Sequence, residues 1–252
     1  MTLAPAPGAA SLPRMLAAQV GFETRLLLRN GEQLLLTVII PVVLLALLAA
    51  IPVLDTDPVR KIDFLVPGIL TLAVMSTAFT SLAIATGYER RYGVLKRLAA
   101  SPLPRWALLV AKAGTVLTIE ALQVLLVGGL GLALGWRPHG SAVAVVALIV
   151  AGSFAFGGIA LLMAGTLRAE ATLAGANLIY LLLLGLGGIF VPLDRFPEGA
   201  QAVLEATPTG ALVTGLRAVL VDGGGLPWVQ LGILAAWAVA GFAAAARWFR
   251  WE

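Results

Sequence analysis

One carboxylate lies inside a long apolar stretch of the chain, and it is the residue best placed to do chemistry there. Gln123 follows Glu120 by three residues, so both side chains lie on the same side of a helix, with Thr115 and Thr118 about one turn before. A carboxylate within a membrane span costs roughly 2.5 to 3.5 kcal/mol on insertion scales and marks a functional hypothesis. Glu120 and Gln123 therefore either line a substrate path or a protomer interface, or hydrogen-bond neighbouring helices together.

The chain lacks the residue patterns of the common catalytic sites. A phosphate-binding loop needs a lysine directly after a glycine, but Lys61, Lys96 and Lys112 follow Arg, Leu and Ala. No G-x-S-x-G or H-E-x-x-H pattern is present. The sequence has no cysteine and one histidine, His139, which cannot complete a metal site by itself. We therefore expect no catalytic site, no cofactor and no metal in this chain.

Composition places the chain in a membrane. Of its 252 residues, 12% are charged and 60% are hydrophobic, whereas soluble proteins carry about 25% charged residues. About 20 apolar residues suffice to cross the hydrocarbon core as a helix, and backbone groups in lipid must be satisfied internally. We predict an all-α membrane protein with six transmembrane helices. The spans cover about residues 33–54, 64–87, 106–136, 140–167, 171–191 and 224–247.

The charges between the spans predict how the protein lies in the membrane. If the N-terminus is inside, twelve of the 17 basic residues lie in inner segments and five lie in outer segments, while the acids show the opposite bias. This pattern predicts a multi-pass protein of the plasma (inner) membrane with N- and C-termini in the cytoplasm. The basic residues are dispersed at the ends of spans, so we expect contact with membrane lipids and no nucleic-acid binding.

The N-terminal part precedes a six-span transmembrane domain, residues 32–252. Residues 1–10 are small and Pro-rich, which predicts disorder, and residues 11–31 are compatible with a helix that Ser11 caps. One side of this helix is basic and the opposite side is apolar. The arginines are Arg14, Arg25 and Arg29, and the apolar residues are Leu16, Val20 and Leu27. Residues 11–31 therefore form either an amphipathic interfacial helix or an ordinary membrane-proximal extension.

A charged segment, YERRYGVLKRLAASPLPR at residues 88–105, separates the second and third predicted spans. Its spacing predicts a helix over residues 88–99, which Pro102 and Pro104 then end. The stiff elbow that follows suits the transmission of force between a cytoplasmic partner and the membrane helices. The alternative is a basic stretch that only fixes topology and contacts anionic lipid.

The outer segment that follows the fifth span is long for a connection. Residues 200–205 and 211–220 read as two short apolar helices, broken at Thr207 and Pro208, and neither is long enough to cross a membrane. The pair forms either a re-entrant hairpin in the outer leaflet, buried against protein, or two surface helices.

Two stretches resemble the permeases of type 2 ATP-binding-cassette (ABC) exporters. ERRYGVLKRLAASPLPRWALLVAK is similar to the cytoplasmic signature of this family. LRAEATLAGANLIYLLLLGLGGIFVPLDRFPEGAQAVLEATPTGALVTGLRAVL is similar to its fifth span, the G-x-F-x-P turn and the extracellular segment after it. The resemblance covers about 80 residues. It implies a cytoplasmic coupling helix between spans 2 and 3 and extracellular re-entrant helices between spans 5 and 6.

The resemblance also assigns roles to individual residues. The ATPase-coupling residues would be Glu89, Arg90, Arg91, Gly93, Lys96, Arg97 and Pro102. The extracellular gate would contain Pro192, Pro197, Pro208 and Arg217. Phe190, in the G-x-F-x-P turn, would join Glu120 and Gln123 along the substrate path.

The function implied is that of the membrane subunit of an ATP-driven exporter. Two permeases, as a homodimer or as related halves, would pair with two cytoplasmic ABC ATPase subunits that hold ATP and Mg²⁺. The polysaccharide branch carries an R-D-x-x-x-R-Y-like N-terminal helix, whereas this chain has FETRLLLRN. It therefore resembles the small-molecule branch, which includes the daunorubicin exporter permease, although TPTG at 207–210 departs from that branch. The alternatives are a lipid-linked glycan exporter permease and a non-transport membrane sensor or scaffold.

Overall fold

The computed structural model describes residues 10–51, 61–99 and 103–250, except for the side chains of Glu32, Ala99 and Arg105. Helices are the regular secondary structure of this part of the chain. They are α1 Leu12–Arg29, α2 Leu35–Ala50, α3 Lys61–Arg91, α4 Val94–Ala99, α5 Arg105–Ala133, α6 Ala142–Thr166, α7 Ala169–Leu186, α8 Glu198–Glu205, α9 Pro208–Leu220 and α10 Trp228–Trp248. Nearly all of the segment predicted to be disordered, and Pro102 of the predicted elbow, lie outside the described residues.

Five of these helices are long and apolar enough to cross a membrane: α3, α5, α6, α7 and α10. The first predicted span, residues 33–54, corresponds to α2, which is apolar but shorter, about 24 Å at about 1.5 Å per residue. A turn of helix at Gly31–Leu34 leads directly into α2. The final residues of that predicted span, 52–54, lie outside the described part of the chain. Five candidate spans are therefore established, and a sixth remains a prediction.

Contacts between helix ends define two ends of the bundle. At the α4 end, the Arg90 guanidinium donates to the carbonyls of Gly165 and Leu167 where α6 ends, and the Arg250 amide, just after α10, donates to the same Gly165 carbonyl over 3.0 Å. At the α9 end, the His139 amide donates to the Leu220 carbonyl over 3.0 Å. α1 packs against the start of α5 and so also lies at the α4 end.

The two termini of the described chain therefore share one end of the bundle. The predicted arrangement, with both termini in the cytoplasm, requires this. The prediction that the α4 end faces the cytoplasm rests on the charge bias of the sequence.

The core is centred on α3 and α6. We compare the most apolar 18-residue stretch of each long helix. In α3, 78% of that stretch is buried, and in α6 56% is buried, but in α7 and in α10 only 17% is buried. Phe79 of α3 and Phe156 of α6 meet with ring centroids 6.3 Å apart. On α7, Leu178 and Leu181 are about 60% exposed. An apolar exterior of this kind suits lipid or another membrane protein rather than water.

The predicted helix over residues 88–99 is in fact two helices. α3 continues to Arg91, and α4 begins only at Val94, because Gly93 between them has φ +69. A side chain at this left-handed conformation would clash with the backbone, and glycine avoids that clash. The chain therefore bends at Gly93, before the elbow that the prolines predict.

The outer segment breaks at the predicted residues. The Thr207 hydroxyl accepts a hydrogen bond of 3.1 Å from the Gly210 amide, and Pro208 occupies the first turn of α9. Both helices start earlier than predicted, α8 at Glu198 and α9 at Pro208. α9 is largely buried against the bundle, whereas α8 has no buried residue. Their re-entry into the membrane remains a prediction.

The close approach of α6 and α10 can be tested by substitution. A Cβ atom on Gly158 of α6 would lie 3.0 Å from the Phe242 amide nitrogen and 3.1 Å from the Gly241 Cα of α10. We expect Gly158→Leu to separate α6 from α10, because overpacking typically costs 1 to 3 kcal/mol. The apparent melting temperature of the purified chain in lipid nanodiscs should fall by about 2 to 12 °C.

The control is Gly232→Leu, at an exposed site of α10 where a Cβ would meet nothing within 4 Å. Its melting temperature should stay close to that of the unmodified protein. Equal effects of the two substitutions would contradict the close approach.

Candidate functional site

A buried lysine joins three helices at the α4 end. Lys112 Nζ of α5 lies 2.7 Å from Glu89 Oε2 of α3 and 3.8 Å from Glu23 Oε1 of α1. The Lys112 side chain is 6% exposed, and a charge buried to that degree needs a partner of opposite sign. Gln19 donates to Glu23 Oε1 over 2.8 Å, and the Thr115 hydroxyl, which donates to the Ala111 carbonyl over 3.1 Å, lies 3.5 Å from Glu23 Oε2. We call Glu23, Glu89 and Lys112 the Lys112 cluster.

The Lys112 cluster changes the expected position of one coupling residue. Glu89 was assigned by resemblance to the segment that docks an ATPase. Its carboxylate instead points towards α5, where Lys112 Nζ donates to Oε1 over 2.9 Å, and its side chain is 25% exposed. Glu89 therefore links the end of α3 to α5.

Sequence reasoning used Glu23 and Lys112 only as charges that report topology. A signal was present for Glu23: with Leu16, Val20 and Leu27 it falls within a narrow sector of α1, so a carboxylate lies on the apolar face. Such a residue must find a partner where the helix is buried. The sequence does not reveal that this partner is Lys112.

The neighbouring arginines bind the connection between α6 and α7. Arg90 donates to main-chain carbonyls there, as described above, and Arg91 forms an ion pair with Glu170 at the start of α7. Both partners of the Arg91 ion pair are about half exposed, so this pair is worth little by itself. Together the two arginines attach the end of α3 to α6 and α7.

α4 presents the remaining predicted coupling residues on its surface. Leu95 is buried, at 3% exposure, while Lys96 and Arg97 are exposed. Gly93 is the bend that precedes α4. The structure thus places Gly93, Lys96 and Arg97 together on one short element, with Glu89, Arg90 and Arg91 turned towards neighbouring helices.

Gln123 connects two irregular segments of helix. Its side-chain amide donates to the Thr37 carbonyl of α2 and, over 2.8 Å, to the Thr77 hydroxyl of α3. Thr37 and Thr77 lie in widened, π-helical turns, Leu35–Ile39 and Met75–Ser81. Such turns contain an extra residue and occur frequently at functional sites. Gln123 therefore holds α2 and α3 where both depart from regular geometry.

Glu120 turns to a different helix. It is 1% exposed, and its Oε2 is hydrogen-bonded to the Ser153 hydroxyl of α6, which also lies 2.7 Å from the Ile149 carbonyl. A hydroxyl has one proton to donate. Both contacts are satisfied together if a neutral carboxylic acid donates to Ser153 and Ser153 donates to Ile149. Within one chain, Glu120 is thus a helix-to-helix contact.

The predicted polar side of α5 is only partly present. Glu120 and Gln123 are both buried but bond to different neighbours, and Thr115 joins the Lys112 cluster. Thr118 is exposed, and its hydroxyl bonds only to the Gly114 carbonyl of its own helix. This geometry favours the hydrogen-bonding alternative for Glu120 and Gln123. Their place on a substrate path remains a prediction.

Arg217 organises the α9 end. Its Nη2 donates to the Ile189 carbonyl over 3.0 Å, and its Cζ lies 3.8 Å from the centroid of the Phe64 ring. Burial lowers the pKa of Arg217 to about 10, and the Asp194 carboxylate opposes that shift. The guanidinium therefore remains charged at neutral pH. The cation holds the turn after α7 against the start of α3.

The other predicted gate residues surround this turn. Phe190 is partly buried and packs against the core, and Pro192 is partly buried beside it. Pro197 is exposed and precedes α8, whereas Pro208 is buried at the start of α9. The structure brings Phe190, Pro192 and Arg217 to one turn, and Pro197 and Pro208 to the starts of the two short helices.

A cavity of about 340 Å³ opens beside the Lys112 cluster, between α1, α3 and α5. The three charged residues of its wall are Glu23, Glu89 and Lys112. The neutral polar residues are Asn30, Gln33, Thr77, Ser81 and Thr115, and the aromatic residues are Tyr88 and Tyr92. The rest of the wall is aliphatic. This cavity and the Lys112 cluster form one site next to the bend at Gly93.

Five long apolar helices and an apolar exterior define a multi-pass membrane protein. The family model of the ABC-2 type transporters matches residues 17–221, so the chain belongs to that family and is the permease subunit of an ABC transporter. This confirms the family that the two sequence stretches resemble. Membrane domains of this family generally work with an ATPase subunit, which supports a partner of that kind. No curated protein matches the chain.

The Gln123 contacts predict a stability effect. Gln123→Leu removes both donors and leaves the Thr37 carbonyl and Thr77 hydroxyl without them, which we expect to lower the free energy of unfolding by about 1 to 3 kcal/mol. Unfolding by denaturing detergent in mixed micelles measures this change. Thr118→Val is the control, since it removes only a bond within α5 and should cost less than about 0.5 kcal/mol. A larger loss from Thr118→Val would refute the role of Gln123.

Proposed function

We propose that this permease exports a hydrophobic small molecule across the plasma (inner) membrane, driven by ATP that a separate cytoplasmic ABC ATPase subunit hydrolyses. The observation that carries the proposal is α4: a short helix, anchored by Leu95, that exposes Lys96 and Arg97 at the end predicted to be cytoplasmic. The sequence has no Gly-Lys phosphate loop, so ATP and Mg²⁺ belong to the partner and this chain is not itself an enzyme.

The contacts of the coupling segment offer a route for force. Movement of α4 acts on the end of α3 through the bend at Gly93. From there Glu89 connects to α5 and α1 through Lys112, and Arg90 and Arg91 connect to α6 and α7. The contact between Lys112 and Glu89 is largely buried, where the effective dielectric is low, so a displacement of the end of α3 shifts α5 with it.

A second permease would complete the transporter. Asn177 lies on the exposed side of α7, and only 17% of the most apolar stretch of this helix is buried. Polar side chains in membrane spans bond across helix interfaces, because lipid offers no partner. We infer that α7 faces a second permease, a copy of this chain or a related half, and that two permeases pair with two ATPase subunits.

The α9 end would form the extracellular gate. α9 is a short, buried helix that lies between the start of α3 and α10, and Arg217 ties it to the turn after α7. A ligand that leaves between two permeases would pass this turn, where Phe190 and Pro192 lie. The small-molecule branch, with the daunorubicin exporter permease, is favoured by the FETRLLLRN segment of α1.

The test is reconstitution with a candidate ATPase in proteoliposomes. The complex should take up daunorubicin on addition of ATP, and Arg97→Glu should reduce copurification of the ATPase and ATP-driven uptake at least fivefold, since a reversed charge opposes docking at α4. Arg137→Glu is the matched control: Arg137 is an exposed arginine at the α9 end, and its substitution should leave copurification unchanged. Unimpaired assembly and uptake with Arg97→Glu would contradict the coupling role of α4.

A further inference from the structure

We propose that the cavity between α1, α3 and α5 binds a lipophilic monovalent cation, a molecule with an apolar body and one positive charge. Binding at this site is a property of the chain itself. That the bound cation is also the exported molecule rests on the function proposed above.

The size and wall of the cavity suit such a molecule. Its volume of about 340 Å³ lies within the range of small-molecule sites, roughly 300 to 1,000 Å³. Leucine side chains from α1 and α3, such as Leu26, Leu27 and Leu82, form apolar walls, and Ala85 and Val116 add to them. Burial of an apolar body against these walls supplies the affinity.

The charge of the wall selects a cation. Two carboxylates, Glu23 and Glu89, face one ammonium group, Lys112, so the formal charge of the described lining residues is −1. The side chains of Glu23 and Glu89 are 15% and 25% exposed, but Lys112 is only 6% exposed. The carboxylates are therefore more accessible to a ligand than the ammonium group. In an apolar site, one unbalanced negative charge attracts a cation much more strongly than it would in water.

Aromatic rings add to this preference. Tyr88 and Tyr92 both line the cavity and stack with centroids 6.1 Å apart. The faces of such rings attract cations, and the Arg91 guanidinium already lies 5.8 Å from the Tyr92 centroid. Tyr88 offers a second ring next to Glu89. A cation with a spread charge and apolar substituents can contact the ring and the carboxylate together.

The position of the site connects it to the coupling segment. Glu89, Tyr92 and Val94 all line the cavity, and Val94 is the first residue of α4. A ligand in the cavity thus contacts both sides of the bend at Gly93. The opposite wall belongs to α1, which the Lys112 cluster attaches to the same unit.

Binding of tetraphenylphosphonium is the experiment, with tetraphenylborate as a probe of similar shape and opposite charge. Equilibrium dialysis against the purified full chain in nanodiscs, without ATPase, should show saturable binding of tetraphenylphosphonium above that of empty nanodiscs. Tetraphenylborate should show no saturable binding. Equal saturable binding of the two ions, or none of either, would overturn the proposal.

Charge substitutions locate the site. Glu23→Gln makes the formal charge of the wall zero and should weaken tetraphenylphosphonium binding by on the order of tenfold. Lys112→Gln leaves both carboxylates unbalanced, which destabilises the fold, but its folded fraction should bind the cation at least as tightly as the unmodified chain, because the ligand supplies the missing positive charge. General misfolding would weaken both variants. Glu198→Gln, which changes an exposed carboxylate of α8 far from the cavity, should leave binding unchanged.

The outcomes separate this site from the proposed function. Unchanged binding with Glu23→Gln, or weaker binding with Lys112→Gln, would overturn the charge argument even if ATP-driven uptake of daunorubicin occurs. Charge-dependent binding without any ATP-driven uptake would support the site and contradict the exporter function. A lipid or a second copy of the chain as the occupant would appear as loss of tetraphenylphosphonium binding in nanodiscs, which also counts against the proposal.

Discussion

The arrangement of the α4 end depends on one buried ammonium group. Lys112 lies within ion-pair distance of carboxylates from α1 and α3, and it is less exposed than either of them. Removal of one partner from a buried ion pair typically costs 3 to 5 kcal/mol, because the remaining charge has no compensation. The cluster joins α1, the wall of the cavity and the end of α3 that leads to α4. They therefore form one unit.

Other buried polar contacts fix the remaining helices in the same way. In a membrane, apolar side chains gain little by leaving lipid for a neighbouring helix, so hydrogen bonds and close backbone approaches decide which helices meet. Gln123 joins α5 to α2 and α3, and Glu120 joins α5 to α6. Gly158 has no side chain, so the backbone of α10 packs closely against α6 there. Because α5 carries Lys112 as well, one helix links the cavity to most of the bundle. A displacement at α4 thus has a direct mechanical route to the transmembrane helices.

Length, charge and proline positions predict much of this fold, but side-chain partners cannot be read from them. The long apolar runs correspond to helices, and the break at Pro208 follows from local sterics. The bend at Gly93 was missed because glycine within a helical pattern does not reveal its φ angle. Glu120 and Gln123 were recognised as buried polar residues, yet their bonds to Ser153 and Thr37 depend on packing between distant segments. Glu23 lies on an apolar helix face, and this position indicates a buried carboxylate that needs a partner. The signal was missed because Glu23 was counted only as a charge that reports topology.

The link between the cavity and α4 is the central claim, and ATP hydrolysis by the assembled transporter tests it most directly. Tetraphenylphosphonium, titrated into the permease–ATPase complex in nanodiscs, should raise the rate of ATP hydrolysis, with half of the effect near the dissociation constant measured without ATPase. The reason is that the ligand contacts Glu89, Tyr92 and Val94, on both sides of the bend that carries α4. Saturable binding of the cation with no change in the rate of ATP hydrolysis would contradict the account.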